Sequence, residues 1–246
     1  MKYLLLAVVI LCITLVQGQT NTPCTPEVGY SPCPRCVYRT QDARDECYMR
    51  IALAFGVTLN RERPYGAIIV NHVSNNISCY GVNSGNDNVL SHGEIAAFNN
   101  CTKLYPSPTG NDRTNPGINW ANHTLYTSAE PCPMCAAASV WRGLGRMVYG
   151  TDIPTLARIG SKQITIRTRE IYSNSILSLF KTGAQGVQGS NYVPLLKESV
   201  LKEECDRAFY TAFGYAYPPV GYKACEDVFA NEYGQCGHDH GYGFNQ

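Results

Sequence analysis

The chain has 246 residues, 44% of them hydrophobic, and a formal net charge of +1. That length and apolar content suit one domain of ordinary size with decorated ends, and the near-neutral balance argues against general binding of polyanions such as nucleic acid. Beyond the first residues no apolar run is long enough to cross a bilayer, so no membrane association is expected.

Met1 to Gly18 combines a basic Lys2, an apolar run from Tyr3 to Val16 and a small residue at the end. This reads as a secretory signal peptide cut before Gln19, which predicts a secreted, extracellular protein. Residues 19–41 are rich in Pro and Cys and read as a stapled extension; its Cys33-Pro34-Arg35-Cys36 has no His-x-Glu partner and is assigned to disulfides. Residues 42–212 are expected to form the functional domain, and residues 213–246 a Tyr/Gly/Cys-rich tail in which His238-Asp239-His240 is read as flexible chain. Of the 12 cysteines, one leaves with the leader and two are claimed below for a metal. The remainder is odd in number, so bridges plus one free or intermolecular thiol are expected. Asn76, Asn100 and Asn122 each begin an Asn-x-Ser/Thr sequon and are candidate glycosylation sites in an exported chain.

Within the domain the pattern turns helical at Asp42, with Cys47, Ile51 and Leu53 to Phe55 on an apolar side and an end near Gly56. Ala67 to Val70 reads as a strand and Ile77 to Val82 as its hairpin partner across a polar turn at Ser74 to Asn76. A helix through Ile95 to Phe98 follows, capped by Ser91, and then an irregular Pro/Asn/Gly loop from Pro106 to Gly117. Thr124 to Thr127 is the third strand, feeding a helix that runs through Ala136 to Trp141, and Arg146 to Tyr149 is the fourth. Ile164, Ile166 and Ile171 hint at extended chain, and Leu195 to Phe209 returns to a helical pattern. Arg158, Lys162, Arg167 and Arg169 are the one basic concentration and are read as a solvated face. The order of helices and strands predicts a layered α/β fold with helices on both faces of one sheet.

The chemistry concentrates in Ser91-His92-Gly93-Glu94 and in Ser128-Ala129-Glu130-Pro131-Cys132-Pro133-Met134-Cys135. His92, Cys132 and Cys135 offer one imidazole nitrogen and two thiolates, a donor set suited to Zn²⁺, and three protein ligands leave a fourth position open for water. Glu94 lies two residues past one ligand, where a carboxylate can act as general acid and base. Pro133 suits an early helical position, placing Cys132 and Cys135 about one turn apart at a helix start. Taken singly, a Cys-x-x-Cys in an exported chain is more often half of a disulfide framework, and a structural zinc finger needs a fourth ligand at finger-like spacing. Together with Glu94 and Pro131 the combination points to a catalytic zinc site, because His-x-Glu followed by Pro-Cys-x-x-Cys is the signature of zinc base deaminases.

From about Asp42 to Gly150 the chain resembles the cytidine-deaminase-like superfamily, in the branch of guanine deaminases, nucleoside deaminases and tRNA adenosine deaminases. The string Leu125-Tyr126-Thr127-Ser128-Ala129-Glu130-Pro131-Cys132-Pro133-Met134-Cys135 is similar to the "LYTS-x-EPCPMC" of that branch. Pro64-Tyr65-Gly66-Ala67 is similar to its "PFGA" segment and Gly81-Val82-Asn83 to the "G-x-N" that ends its second strand. The resemblance implies a three-layer α/β/α sandwich around one mixed sheet of about five strands, often oligomeric, so a homo-oligomer is expected. It implies Zn²⁺ on His92, Cys132 and Cys135, Glu94 as proton shuttle, Asn83 hydrogen-bonding the base and Tyr65 lining its pocket. Gly93 replaces the usual alanine, and no acidic residue lies in Gly160 to Gln163, where guanine-specific relatives hold the exocyclic amine.

The expected activity is zinc-dependent hydrolytic deamination of a small-molecule nucleobase or nucleoside, of purine type, in extracellular salvage. The alternatives are a cytidine/dCMP-type or nucleic-acid-editing deaminase, or an inactive zinc-stabilised secreted protein, against which the intact Glu94 argues.

Overall fold

The structure is a computed structural model that describes residues 40–86, 88–112, 116–175 and 193–217. The proposed leader, nearly all of the Cys/Pro-rich extension with its Cys33 and Cys36, and the tail with Cys225, Cys236 and His238 to His240 lie outside the described residues.

Helix α1 (Gln41–Leu59) opens the domain, with Thr40 accepting from Ala43 N as its cap. Asp45, Tyr48, Met49, Ala52, Phe55 and Gly56 are buried, at the three- and four-residue spacing of one helix face. Of the expected apolar side, Cys47 and Phe55 are buried while Ile51, Leu53 and Ala54 are only half-buried, and the helix was expected to end near Gly56. The helix runs on to Leu59 because Gly56 serves a close approach instead: a side chain there would strike the Pro64 carbonyl.

Strand β1 (Gly66–Asn71) pairs antiparallel with β2 (Asn76–Val82) through a turn in which Asn75 takes φ 60°. Strand β3 (His123–Ala129), entered through a short 3-10 turn at Trp120–Asn122, pairs antiparallel with the other edge of β1. Strand β4 (Arg146–Thr151) and β5 (Leu195–Lys197) extend the sheet in parallel, giving the order β2-β1-β3-β4-β5. Alternation along these strands feeds two cores. Ala67, Ile69, Leu125 and Met147 pack on one face with α2 (Gly93–Leu104) and α3 (Pro133–Arg142), together with Tyr172 of α5 (Thr168–Ser173). Ile68, Val70, Tyr126 and Val148 pack on the other with α1 and with Cys205 of α6 (Lys202–Ala212). The short α4 (Ile153–Arg158) starts just past β4. The result is the expected three-layer α/β/α sandwich on a mixed five-stranded sheet.

Two elements differ from the sequence reading. Leu195 to Lys197 is the edge strand β5, not the start of a helix, and the helix begins only at Lys202. Ile171 lies in α5 instead of extended chain. Three residues at a sheet edge carry too little alternation to register as a strand by pattern.

The disulfide Cys79–Cys101 ties β2 to α2 and closes a loop of 22 residues, a constraint on the unfolded chain worth about 3 kcal/mol. Cys47 is also disulfide-bonded. Cys205 is a free thiol with no exposure, consistent with the odd cysteine expected from the count. No described helix is long and apolar enough to cross a membrane.

Candidate active site

Every chemically interesting residue sits at one end of the sheet: just before β1 (Tyr65), just after β2 (Asn83), at the start of α2 (His92, Glu94), between β3 and α3 (Glu130 to Cys132), and in the first turn of α3 (Cys135). Two helix starts meet there. His92 is the N-cap of α2 with no side-chain cap bond, and Cys132 is the N-cap of α3 with Pro133 behind it. Ser91 is therefore not the cap the sequence suggested; its hydroxyl accepts from Ser84 and closes the loop between β2 and α2. The cap position is given to the imidazole, which frees the ring to face the cysteines.

His92 Nδ1 lies 3.5 Å from Cys132 Sγ and 3.7 Å from Cys135 Sγ, and the two sulfurs are 3.7 Å apart. Tetrahedral zinc with Zn–S of about 2.3 Å and Zn–N of about 2.0–2.1 Å would separate sulfur from sulfur by about 3.8 Å and sulfur from nitrogen by about 3.6 Å. The three donor atoms thus form the triangular face a zinc ion needs, and they could hold one without rearrangement. They are the one such group of His, Cys, Asp and Glu among the described residues.

The electrostatics match that donor set. The bond from Cys135, helped by His92 against burial, draws the Cys132 thiol down to about 4, and Cys132 in turn raises the His92 imidazole. Cys135 moves up, since Cys132 bonds it and it is buried. Glu94 is 5% exposed. Burial first, and then the negative Cys132, push its carboxyl up to about 7, a value suited to both taking and giving a proton near neutrality.

Gly93 lies between His92 and Glu94, and a Cβ there would come within 2.6 Å of the Tyr65 carbonyl and 3.7 Å of Asn83 N. The glycine lets the start of α2 pack directly on the backbone of the two expected base contacts, which themselves join through Asn83 N donating to Tyr65 O at 3.0 Å. Its helix-propensity cost of up to about 1 kcal/mol is the cost of that approach. The Asn83 side chain accepts from Gly85 N through Oδ1 at 3.1 Å, which orients its amide. The Tyr65 ring packs on Phe209 with centroids 4.8 Å apart, and its hydroxyl meets Ser161 Oγ at 2.7 Å and Gln163 Nε2 at 3.5 Å. Burial raises the Tyr65 phenol, with a smaller contribution from the Glu94 charge nearby. Where guanine-specific relatives were expected to carry an acid, this chain uses Ser161 and Gln163 to steady Tyr65.

Three side chains have roles that the sequence reading did not assign. Ser128 Oγ accepts from Gly66 N at 3.0 Å and donates to Pro64 O at 2.8 Å, binding the Pro64–Gly66 turn to β3. Glu130, 3% exposed, accepts from Arg167 Nε, Ile153 N and Thr168 N at 2.7 to 2.9 Å. Arg167 is 7% exposed, so it is no member of a solvated basic face. The signal that could have found the pair was the carboxylate inside the metal-ligand string, which has to find a partner once it is buried.

Of the glycosylation candidates, Asn76 is exposed at the start of β2. Asn100 is half-buried, accepts from Tyr80 N at 3.2 Å and precedes the disulfide Cys101, while Asn122 is half-buried in the 3-10 turn.

A three-layer α/β/α fold with a His-Cys-Cys triangle and a buried carboxylate beside it is the arrangement expected of a zinc-dependent deaminase. The chain matches the cytidine and deoxycytidylate deaminase zinc-binding region over residues 42–151. It is 32% identical over 136 residues to a probable cytosine deaminase of Schizosaccharomyces pombe, covering 54% of this chain and 76% of the relative. It is 30% identical over 122 residues to a tRNA-specific adenosine deaminase of Rickettsia felis, covering 49% and 73%. Among solved structures it superposes on the guanine deaminase of Nitrosomonas europaea with a TM-score of 0.51 at 18% identity, over 75% of this chain and 88% of that one, a likeness of fold. The chain belongs to the cytidine-deaminase-like family of zinc-binding deaminases, hydrolases acting on C–N bonds.

Proposed function

We propose that the protein deaminates a free purine base or nucleoside by hydrolysis, with zinc on His92, Cys132 and Cys135 and Glu94 as the proton carrier. The observation that carries this is the zinc-sized triangle of donors with a buried carboxyl raised to about 7 alongside. Zinc, when bound, lowers the pKa of a water to about 7 and so supplies the nucleophile at neutral pH. Glu94 takes a proton from the attacking water and passes it to the ring nitrogen next to the amino-bearing carbon. Glu94, again a carboxylate, then takes the proton of the new hydroxyl as its C–O bond becomes a carbonyl and delivers it to the amino group, whose C–N bond breaks to release ammonia. Burial of Glu94 excludes bulk water from this shuttle. Asn83, its Oδ1 committed to Gly85, presents its amide Nδ2 to the base, and Tyr65 walls the pocket with its ring.

The purine assignment is supported by the likeness to tRNA-specific adenosine deaminases and by the "EPCPMC" string. A formal net charge of +1 argues for a free base or nucleoside over a nucleic acid. Cytosine is the second reading, favoured by the Schizosaccharomyces pombe relative. Export is supported by the Met1–Gly18 leader pattern and by the Cys79–Cys101 disulfide. In that compartment the exposed Asn76 is the sequon best placed to carry glycan.

Ammonia release from adenine, adenosine, guanine, guanosine, cytosine and cytidine, measured side by side, decides the substrate. A site that hydrogen-bonds one substrate group rejects analogues lacking it by about 10⁴-fold, so the preference should be large. Faster turnover of the two cytosine compounds than of every purine would refute the purine assignment.

A further inference from the structure

Residues 161–168 cross the active-site end of the sheet as a strap. Ser161, Gln163 and Thr165 are half-buried, Lys162, Ile164 and Ile166 are exposed, and the strap ends in the buried Arg167 and Thr168. Thr168 meets the metal-ligand loop twice: its N donates to Glu130 Oε1 at 2.9 Å and its Oγ1 donates to Pro131 O at 2.9 Å. Arg167 Nε reaches both Glu130 oxygens, at 2.7 and 2.9 Å, and its Nη2 donates to Tyr149 OH at 3.1 Å.

The Pro131 carbonyl belongs to the peptide that leads directly into Cys132. A peptide unit is planar, so a bond that fixes its oxygen also fixes the nitrogen and Cα of Cys132. On its other side the Cys132 carbonyl accepts from Ala136 N at 2.9 Å, the first bond of α3, while Cys132 itself holds φ −64° and ψ 167° at the cap position outside the helix, so the peptide entering Cys132 is held by Thr168 and the one leaving it by α3. We propose that Thr168, backed by Arg167, is a positioning residue for the metal centre, holding the Pro131–Cys132 peptide so that the Cys132 sulfur stands at zinc-binding distance from Cys135 and His92. This rests on the metal-centre reading given above. Outer-shell hydrogen bonds of this kind change metal affinity by about 10- to 100-fold when removed.

The test uses the zinc-loaded full chain and follows transfer of zinc to excess colorimetric chelator. Visible absorption of the cobalt(II)-substituted protein is recorded in parallel, because it reports ligand geometry and not global stability. Thr168→Val keeps the shape and loses only the hydroxyl donor; Thr168→Ser keeps the donor. Thr168→Val should release zinc about 10-fold faster and shift the cobalt bands, and Thr168→Ser should restore the wild-type rate and spectrum. Arg167→Lys, which keeps the charge but not the paired contact, carries the same expectation should Thr168→Val fold poorly. Wild-type release and bands in folded Thr168→Val or Arg167→Lys would overturn the proposal, as would Thr168→Ser behaving like Thr168→Val. Cys132→Ser separates the two levels of inference. If it loses zinc quickly while Thr168→Val does not, the positioning role alone fails; if it holds zinc as the wild type does, the metal-centre reading fails and the proposal with it.

Discussion

The two ends of β3 and β4 are each locked by a buried carboxylate and an arginine, yet they do different work. At the start of the strands Asp45 of α1 accepts from both Arg146 Nη atoms, at 2.5 and 2.6 Å, and from Tyr126 OH at 2.8 Å. At the far end Glu130 takes Arg167 and two helix-start amides. The first pair joins a helix to the sheet and nothing more. The second sits two residues before a metal ligand, so the same kind of bond there sets chemistry as well as stability.

The contrast can be broken from the chemical side first. Glu94→Gln should keep zinc and fold and lose 10²- to 10⁴-fold in ammonia release, the range for a lost general acid–base group; metal analysis beside a single-turnover assay checks both halves. Asp45→Asn should do the reverse. It leaves Arg146, with 17% of its side chain exposed, short of its charge partner. That should cost about 3 kcal/mol in urea unfolding with zinc content unchanged.

The acid response sharpens the same point. Burial pushes Asp45 up, but Arg146, Gln41 and Tyr126 outweigh it and hold the carboxyl below its usual range. A depressed folded pKa contributes stability that is complete above the unfolded value of about 3.9 and is lost as pH falls through the lower folded value. Wild type should therefore lose stability below about pH 4, and Asp45→Asn should flatten that part of the curve in unfolding followed by circular dichroism. The smallest effect belongs to Tyr65→Phe, which keeps the ring on Phe209 and loses the bond to Ser161. A rise in KM of roughly fivefold, matching about 1 kcal/mol, is expected with zinc retention unaltered.

Much of the site was legible because its chemistry is written locally. His92 and Glu94 lie two residues apart, and Cys132 and Cys135 one helical turn apart, so residue type and spacing alone picked out the three donors that the fold gathers and the buried carboxylate beside them. The sheet was legible for a similar reason, since Ala67 to Val70, Thr124 to Thr127 and Arg146 to Tyr149 are unbroken strand patterns. β5 was not, because its residues borrow their conformation from pairing with β4. Arg167 was misread as surface because a charge shows its burial only through a partner, and that partner lies 37 residues away.

The amino-acid sequence by itself determined the donor set, the carboxylate beside it and the α/β class, all of which follow from spacing within a single helix turn or strand. Only the tertiary structure decided that Gly93 serves a contact with Tyr65, that Ser161 and Gln163 support Tyr65 where an acid was looked for, and that Arg167 and Thr168 hold the cysteine loop. Those contacts join segments far apart along the chain. Their geometry exists only once burial has removed water as the competing partner.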